Sequence, residues 1–362
     1  MSLGYADRLK EYPHKGVCGL PEKQDTERQL QLSLRTLVDL VSSAEHLVVL
    51  TGAGISTAAG IPDFRGPDGI WTTQNALERA AAGKPKAGAK RKRKPKAGAA
   101  AGSGAAEGGA AAPPAETRSG AIDFASASPT LTHHALAELA RLGKLKYVVT
   151  QNVDALHQRS GLPRSKLAVL HGCIFEERCE ACGALYLRET DVGTISFQPT
   201  GRYCTRVGEA AGSAACGGVL RDTLLDWEDP LPEAELTEAE RHCERADLIL
   251  ALGTSLRIEP AGSLPCRHRR GGGYVIVNLQ RTPKDSKAKL IVRAPVDRVM
   301  AALMREVMGL ELERGAAGAR WVATGTGGAA TGGAATGGAM PEASSLIAGA
   351  GGAPASAPVA EG

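Results

Sequence analysis

An apolar run, Leu47-Val48-Val49-Leu50, gives way at Thr51 to Gly52-Ala53-Gly54, and this junction limits the folds open to the chain. A short uninterrupted apolar segment reads as a parallel strand buried on both faces. Two glycines directly after it allow a tight turn and bring backbone N–H groups close to an anion. Ile55 to Ala59 then read as the opening of a helix whose N-terminal dipole faces that anion. A bare G-x-G is a weak signal, because any tight strand-to-helix turn can use one. Thr57 stands where the dinucleotide fingerprint has its third glycine, so the dehydrogenase pattern is only half met. The continuation is more specific. Asp63-Phe64-Arg65, shaped by Pro62 and followed by Trp71, adds an acid, an aromatic ring and a fixed cation just past the turn.

Further strands are predicted at Leu145 to Val149, Leu248 to Leu252, Tyr274 to Val277 and Leu290 to Val292. Helical spacing appears at Leu30, Leu34, Leu37, Val38 and Val41, and again at Leu131, Ala135, Leu139 and Leu142 behind a Ser128-Pro129 start. Further helices are predicted near Val153 to Gln158, over the acidic stretch Glu233 to Arg245, and around Val299, Met300, Leu303 and Val307. Strands alternating with helices predict an open parallel sheet with helices on both faces. Ligands bind at the carboxyl ends of such strands. Those ends read Thr51-Gly52, Thr150-Gln151-Asn152, Gly253-Thr254-Ser255 and Asn278-Leu279-Gln280. Any one polar strand end simply meets water; four in one sheet, behind a glycine turn, favour a dinucleotide crevice.

Charge is local. The formal net charge is +4, yet Lys84, Lys86, Lys90, Arg91, Lys92, Arg93, Lys94 and Lys96 carry eight positive charges with no acid among them, leaving −4 elsewhere. Residues 80–120 are Ala, Gly, Pro and basic residues, and read as a disordered insertion; residues 313–362 read as a disordered Ala/Gly-rich tail. No stretch approaches 18 apolar residues, so no membrane span is expected. The first residues lack an apolar h-region, so the eight cysteines are expected as thiols or metal ligands. Cys179-Glu180-Ala181-Cys182-Gly183 is a CxxC knuckle, and Cys204 and Cys216 follow within a Gly-rich stretch. Four thiolates complete a closed tetrahedral zinc site; four unrelated thiols, or a redox pair at Cys179 and Cys182, are the alternatives.

The string from Gly52 to Trp71, together with Gln151-Asn152-Val153-Asp154-Ala155-Leu156-His157 and His171-Gly172, resembles the sirtuin family of NAD-dependent protein deacylases. The long loop between Cys204 and Cys216, and Leu225-Asp226-Trp227-Glu228-Asp229, resemble its nuclear class IV branch. The family's usual glycine is replaced by Ala155, which is tolerable unless the backbone there needs a positive φ.

The resemblance implies a Rossmann-like NAD-binding domain in three parts (25–79, 121–172 and 221–312), an arm over 1–24 and a zinc module over 173–220. It implies NAD contacts at Gly52, Ala53, Gly54, Ser56, Thr57, Asp63, Phe64, Arg65, Trp71, Gln151, Asn152, Gly253, Thr254, Ser255, Asn278, Gln280 and Val296. Asn152 and Asp154 join His171, the general base, in catalysis; Asp226 and Trp227 contact the acyl-lysine. Zinc at Cys179, Cys182, Cys204 and Cys216 is structural only.

The implied reaction moves an acyl group from protein lysine, histones foremost, to NAD, releasing nicotinamide and O-acyl-ADP-ribose; long-chain acyl groups are within its scope. Mono-ADP-ribosylation by the same site is the near alternative. A nuclear monomer that touches nucleosomal DNA through the basic insertion is expected, with no membrane partner. Two rivals come from other classes. A nicotinamide dehydrogenase needs an acidic ribose partner about 20 residues past the glycines, where Asp68 is the one nearby acid. A non-catalytic chromatin-binding zinc protein would use only the basic run and the zinc module.

Overall fold

The computed structural model describes residues 8–10, 15–81, 124–208, 214–315 and 318–324. Six strands form one parallel sheet: β1 (Leu47–Thr51), β2 (Leu145–Thr150), β3 (Leu167–Val169), β8 (Leu248–Leu252), β9 (Gly273–Val277) and β10 (Leu290–Val292). Their order is β10-β9-β8-β1-β2-β3. The order reverses at β1, so the crevice outside the carboxyl ends opens between β1 and β8.

Alternate residues of each strand feed two cores. Leu47 and Val49 of β1, with Val148, Leu250 and Val275, face three helices: α1 (Glu27–Ser43), α3 (Leu131–Arg141) and α6 (Val296–Met308). Val48 and Leu50, with Tyr147, Ile249 and Ile276, face α5 (Glu233–Arg245) and a 3-10 stretch over Ala261–Arg267. Both faces are therefore covered, which is why these strands read as unbroken apolar runs. Helix α1 opens on a capping box between Thr26 and Gln29 and buries Leu30, Leu34, Leu37 and Val41, one apolar stripe at helical spacing.

Several local expectations are corrected. No helix follows the glycine turn; two 3-10 turns, Ala53–Ile55 and Thr57–Ala59, stop at Gly60 with φ 84°. Helix α2 (Ile70–Ala81) comes later and reaches into the first residues of the expected insertion. Thr130, not Ser128, caps α3; its N–H donates to His133 Nδ1 at 3.2 Å. Helix α4 is one turn, Leu156–Arg159, because Asp154 and Ala155 are held in the loop before it. The presumed tail begins as a hairpin, β11 (Leu310–Gly315) with β12 (Gly318–Ala323), whose Trp321 packs on the core and donates to the His134 carbonyl at 3.3 Å. Leu310-Glu311-Leu312-Glu313 alternates apolar and polar residues, but the run is too short to stand out against the Ala/Gly-rich composition beyond it.

The cysteine-rich stretch folds as a four-stranded antiparallel sheet, β5 (Leu185–Leu187), β4 (Glu176–Cys179), β7 (Val219–Asp222) and β6 (Pro199–Tyr203), in that spatial order. The run Lys84 to Lys96 and the end of the chain lie outside the described residues. Among the described residues, no helix is long and apolar enough to cross a membrane.

Candidate active site and zinc site

The sheet's carboxyl edge opens into a cleft of about 380 Å³ lined by the loops after β1, β2, β8 and β9, by α2, and by the segments around His171 and Trp227. Gly52, Ala53, Gly54, Ser56, Asp63, Phe64, Arg65, Trp71, Gln151, Asn152, Asp154, Gly253, Thr254, Ser255, Asn278, Gln280, His171, Asp226 and Trp227 all line it. Two expected residues do not. Thr57 is exposed on the second 3-10 turn, and Val296 is buried in the first turn of α6 against the helical core.

The glycines act differently from the phosphate-cradle expectation. The Gly52 and Gly54 N–H groups donate to the carbonyls of Leu252 (3.1 Å) and Gly253 (2.8 Å). A Cβ on Gly52 would stand 2.8 Å from Thr254 Cβ, and one on Gly54 would stand 2.8 Å from Gly253 Cα. Their lack of a side chain lets the β1 and β8 loops touch at the switch point. That contact builds the crevice floor.

A buried polar chain crosses this floor. Ser56 Oγ donates to Asp154 Oδ2 at 2.6 Å, and the Asn152 amide donates to Ser56 Oγ at 3.2 Å. The Leu156 N–H donates to the other Asp154 oxygen at 2.9 Å, and Gln151 Nε2 reaches Thr254 Oγ1 at 3.0 Å. All of Ser56, Asn152 and Asp154 are buried. A carboxylate with this many donors fixes the loop rather than floating in it. Ala155, next in sequence, has φ 59°, the left-handed region that disfavours a Cβ. Ala155→Gly is therefore expected to stabilise the fold by about 1 kcal/mol, raising Tm by about 2–4 °C. A thermal melt with no increase would show the strain is already relieved.

His171 sits half-buried where the sheet passes into the zinc module, its imidazole hydrogen-bonded to the Gln151 backbone. Burial lowers its pKa to about 4, against the opposing effect of that bond, so the ring is neutral at physiological pH. A neutral imidazole at a cleft wall can accept a proton. The following Gly172 has φ 74°, and a Cβ there would overlap the Thr223 carbonyl at 1.8 Å.

Opposite lies an aromatic wall. The Phe64 and Trp71 rings are 4.8 Å apart and Trp71 and Trp227 5.1 Å apart, while the Arg65 guanidinium stands 4.3 Å over Trp71. Arg65 is held from behind: its Nε donates to the Lys15 carbonyl at 3.1 Å, and its own carbonyl accepts from Gly19 N at 3.0 Å. The Gln280 amide joins the two, donating to Leu20 O at 2.6 Å and Arg65 O at 3.2 Å. Leu9, Phe124 and Ile258 also line the cleft. Isolated apolar residues outside any periodic pattern carry no sequence signal, and none was foreseen.

The four knuckle cysteines converge. Their sulfurs all lie within 4.8 Å of one another, with Cys179···Cys216 at 3.7 Å and Cys182···Cys204 at 3.6 Å. These separations are far longer than a disulfide and match the edge of a tetrahedron built on zinc–sulfur bonds of about 2.3 Å. The set fits one structural zinc ion. Cys18, Cys173, Cys243 and Cys266 stay free and apart.

A model of the Sir2 family matches residues 52–99 and 116–260. The chain belongs to the Sir2 family. It is similar to NAD-dependent protein deacetylase SRT1 of Arabidopsis thaliana, 45% identical over 308 residues, covering 85% of this chain and 56% of that protein. It is 37% identical over 313 residues to NAD-dependent protein deacetylase Sirt6 of Drosophila melanogaster, covering 86% of each. To NAD-dependent protein deacetylase sirtuin-7 of Homo sapiens it is 35% identical over 313 residues, 81% of this chain and 65% of that one. The chain thus spans about half the length of SRT1. Among solved structures, the ADP-ribose complex of a Sir2 homologue variant superposes with a TM-score of 0.50 at 29% identity, covering 75% of this chain and 96% of that one. This Sir2-family chain carries its class IV-like features, the wide Cys204–Cys216 spacing and Asp226-Trp227-Glu228-Asp229, in the zinc module and the turn that follows β7.

Proposed function

We propose that this chain is an NAD-dependent protein-lysine deacylase. The observation that carries the reading is the joining, in one cleft, of a dinucleotide crevice, a neutral half-buried histidine and an aromatic wall. The relatives' names, NAD-dependent protein deacetylases, and the ADP-ribose bound by a similar fold support it. Bound NAD would supply the ribose carbon that takes the acyl oxygen as nicotinamide leaves; attack of a ribose hydroxyl on the acyl carbon, loss of the lysine amine and addition of one water would then give O-acyl-ADP-ribose.

The chain's own residues do the rest. Asn152, held by Ser56, which is itself held by Asp154, and Gln151, held by Thr254, orient the nicotinamide end. Arg65, fixed over Trp71, meets the pyrophosphate, and Asn278 and Gln280 meet the far end. His171 takes the proton from a ribose hydroxyl. Trp71 and Trp227 flank the acyl-lysine stem and exclude water from the reacting centre. The apolar lining by Phe64, Phe124 and Ile258 also suits acyl groups longer than acetyl. The test is nicotinamide release from NAD with a panel of acyl-lysine peptides. Release that depends on the acyl group supports the reading. ADP-ribose transferred to protein, with no acyl dependence, would replace it by ADP-ribosylation.

Histone substrates and a nuclear, nucleosome-bound setting follow from the basic run Lys84 to Lys96, a dense cationic cluster of the kind that directs nuclear import and meets phosphates. Deleting residues 84–96 is expected to leave peptide deacylation unchanged. Nucleosome binding should weaken, its salt dependence should flatten, and nuclear accumulation should fall. An unchanged salt slope and normal import would make the insertion a spacer.

A further inference from the structure

The acyl-lysine side of the cleft has an acidic entrance, and Arg8, Leu9 and Lys10 lie across it. Asp226, Glu228 and Asp229 follow β7, and Asp191 stands on the neighbouring loop of the zinc module. Arg8 pairs with Asp191 through both arms of its guanidinium, Nη1 to Oδ1 at 3.2 Å and Nη2 to Oδ2 at 2.6 Å. Leu9 lines the cleft itself. The Lys10 backbone N–H donates to Asp226 Oδ1 at 3.2 Å, and its ammonium stands 3.9 Å from both the Asp226 and Glu228 carboxylates.

The segment therefore presents cation, apolar side chain, cation to acid, cavity, acid. That is the layout a substrate peptide needs: an apolar stem entering the cleft between flanking charges. The Asp226 side chain is 4% exposed, so whatever leaves it must be replaced by another donor or cation. The Lys10 side chain is 68% exposed, and an exposed pair of this kind is weak enough to be exchanged.

Building on the deacylase reading, we propose that Arg8-Leu9-Lys10 is an internal competitor at the substrate entrance. The peptides that displace it best carry Lys or Arg on both sides of the acyl-lysine. Their cations take over Asp191, Asp226 and Glu228, while the acyl-lysine stem replaces Leu9.

The experiment measures binding by fluorescence anisotropy. The probes are two labelled acetyl-lysine peptides, one with arginines flanking the acetyl-lysine and one with serines there. Wild type is expected to prefer the arginine peptide at low salt and to lose that preference at high salt. Arg8→Ala/Lys10→Ala is expected to tighten the arginine peptide about two- to tenfold, the worth of one or two exposed pairs. ADP-ribose affinity and Tm should not move. Glu228→Gln, at a residue whose side chain is 85% exposed, should weaken the arginine peptide alone. Equal or weaker binding by the double variant would overturn the proposal, because the segment would then be part of the binding surface. Equal binding of both peptides by wild type at low salt would overturn it too. Binding is read without turnover, so the two readings fail separately. Protein that binds as described but releases no nicotinamide removes the deacylase reading alone; active protein indifferent to the double variant removes only this one.

Discussion

Replacing His171 by alanine is expected to lower deacylation by about 10²–10⁴-fold, the usual worth of a positioned general base, with folding and ADP-ribose binding retained. His171 lines the cleft and its imidazole bonds to the Gln151 backbone, so its loss removes a proton acceptor and little packing. The pH profile adds a second reading. Burial holds the imidazole near a pKa of about 4, below its ordinary 6.5. The basic form then prevails at neutral pH, and activity should fall only as acid approaches that lowered value. The same depression makes folding more favourable as pH rises from about 4 toward 6.5, because the unfolded chain binds the extra proton in that window. A purified His171→Ala protein with near wild-type turnover would take the residue out of the reaction.

Losing any one of the zinc thiolates is expected to unfold the small module. One zinc per chain should be found by elemental analysis, and Cys204→Ser should lose it together with several degrees of Tm. Besides the buried Glu177 paired with Arg188 and Arg202, this sheet has little apolar core of its own. Its apolar cluster of buried residues is Cys179, Cys204 and Leu220, with Ala184 and Tyr186 against it. Two of its three members are themselves zinc ligands, so metal binding and folding are one free energy here. The effect should reach the cleft, because the Leu225 N–H donates to the His171 carbonyl at 3.2 Å and Gly172 packs on Thr223. A chelator should abolish peptide turnover by this route. Full zinc content and an unchanged melt in Cys204→Ser would count against the four-thiolate site.

Much of this was legible before any coordinates. The runs at 248–252 and 290–292 are apolar segments bounded by polar residues, and they are strands end to end. Glu233–Arg245 has acids in its first turn and bases in its last, and it is a helix over that whole range. What stayed hidden depends on contacts between distant residues. Helix α2 buries Trp71 alone, so no stripe announces it; its first turn is set by Ile70 and Trp71 donating to the carbonyls of Asp63 and Phe64, both at 2.9 Å. The packing of Gly54 is hidden for the same reason, since the residue that crowds it, Gly253, is about two hundred residues away. Thr57 lies in the same motif but is turned to solvent on the second 3-10 turn, a placement the sequence does not reveal.

The joint made by Gln280, Arg65 and the stretch from Lys15 to Leu20 bears on where this protein can be cut. By secondary structure alone, a clone opened at Thr26 is clean, since every strand of the main sheet and every helix packed on it survives. Such a clone would nonetheless strip the Arg65 loop of the backbone ties that hold it over the crevice. It would also delete the segment that guards the entrance. On the deacylase reading, such trimming would yield a well-folded protein with a slack Arg65 loop, and weak turnover that belongs to the cut and not to the intact chain.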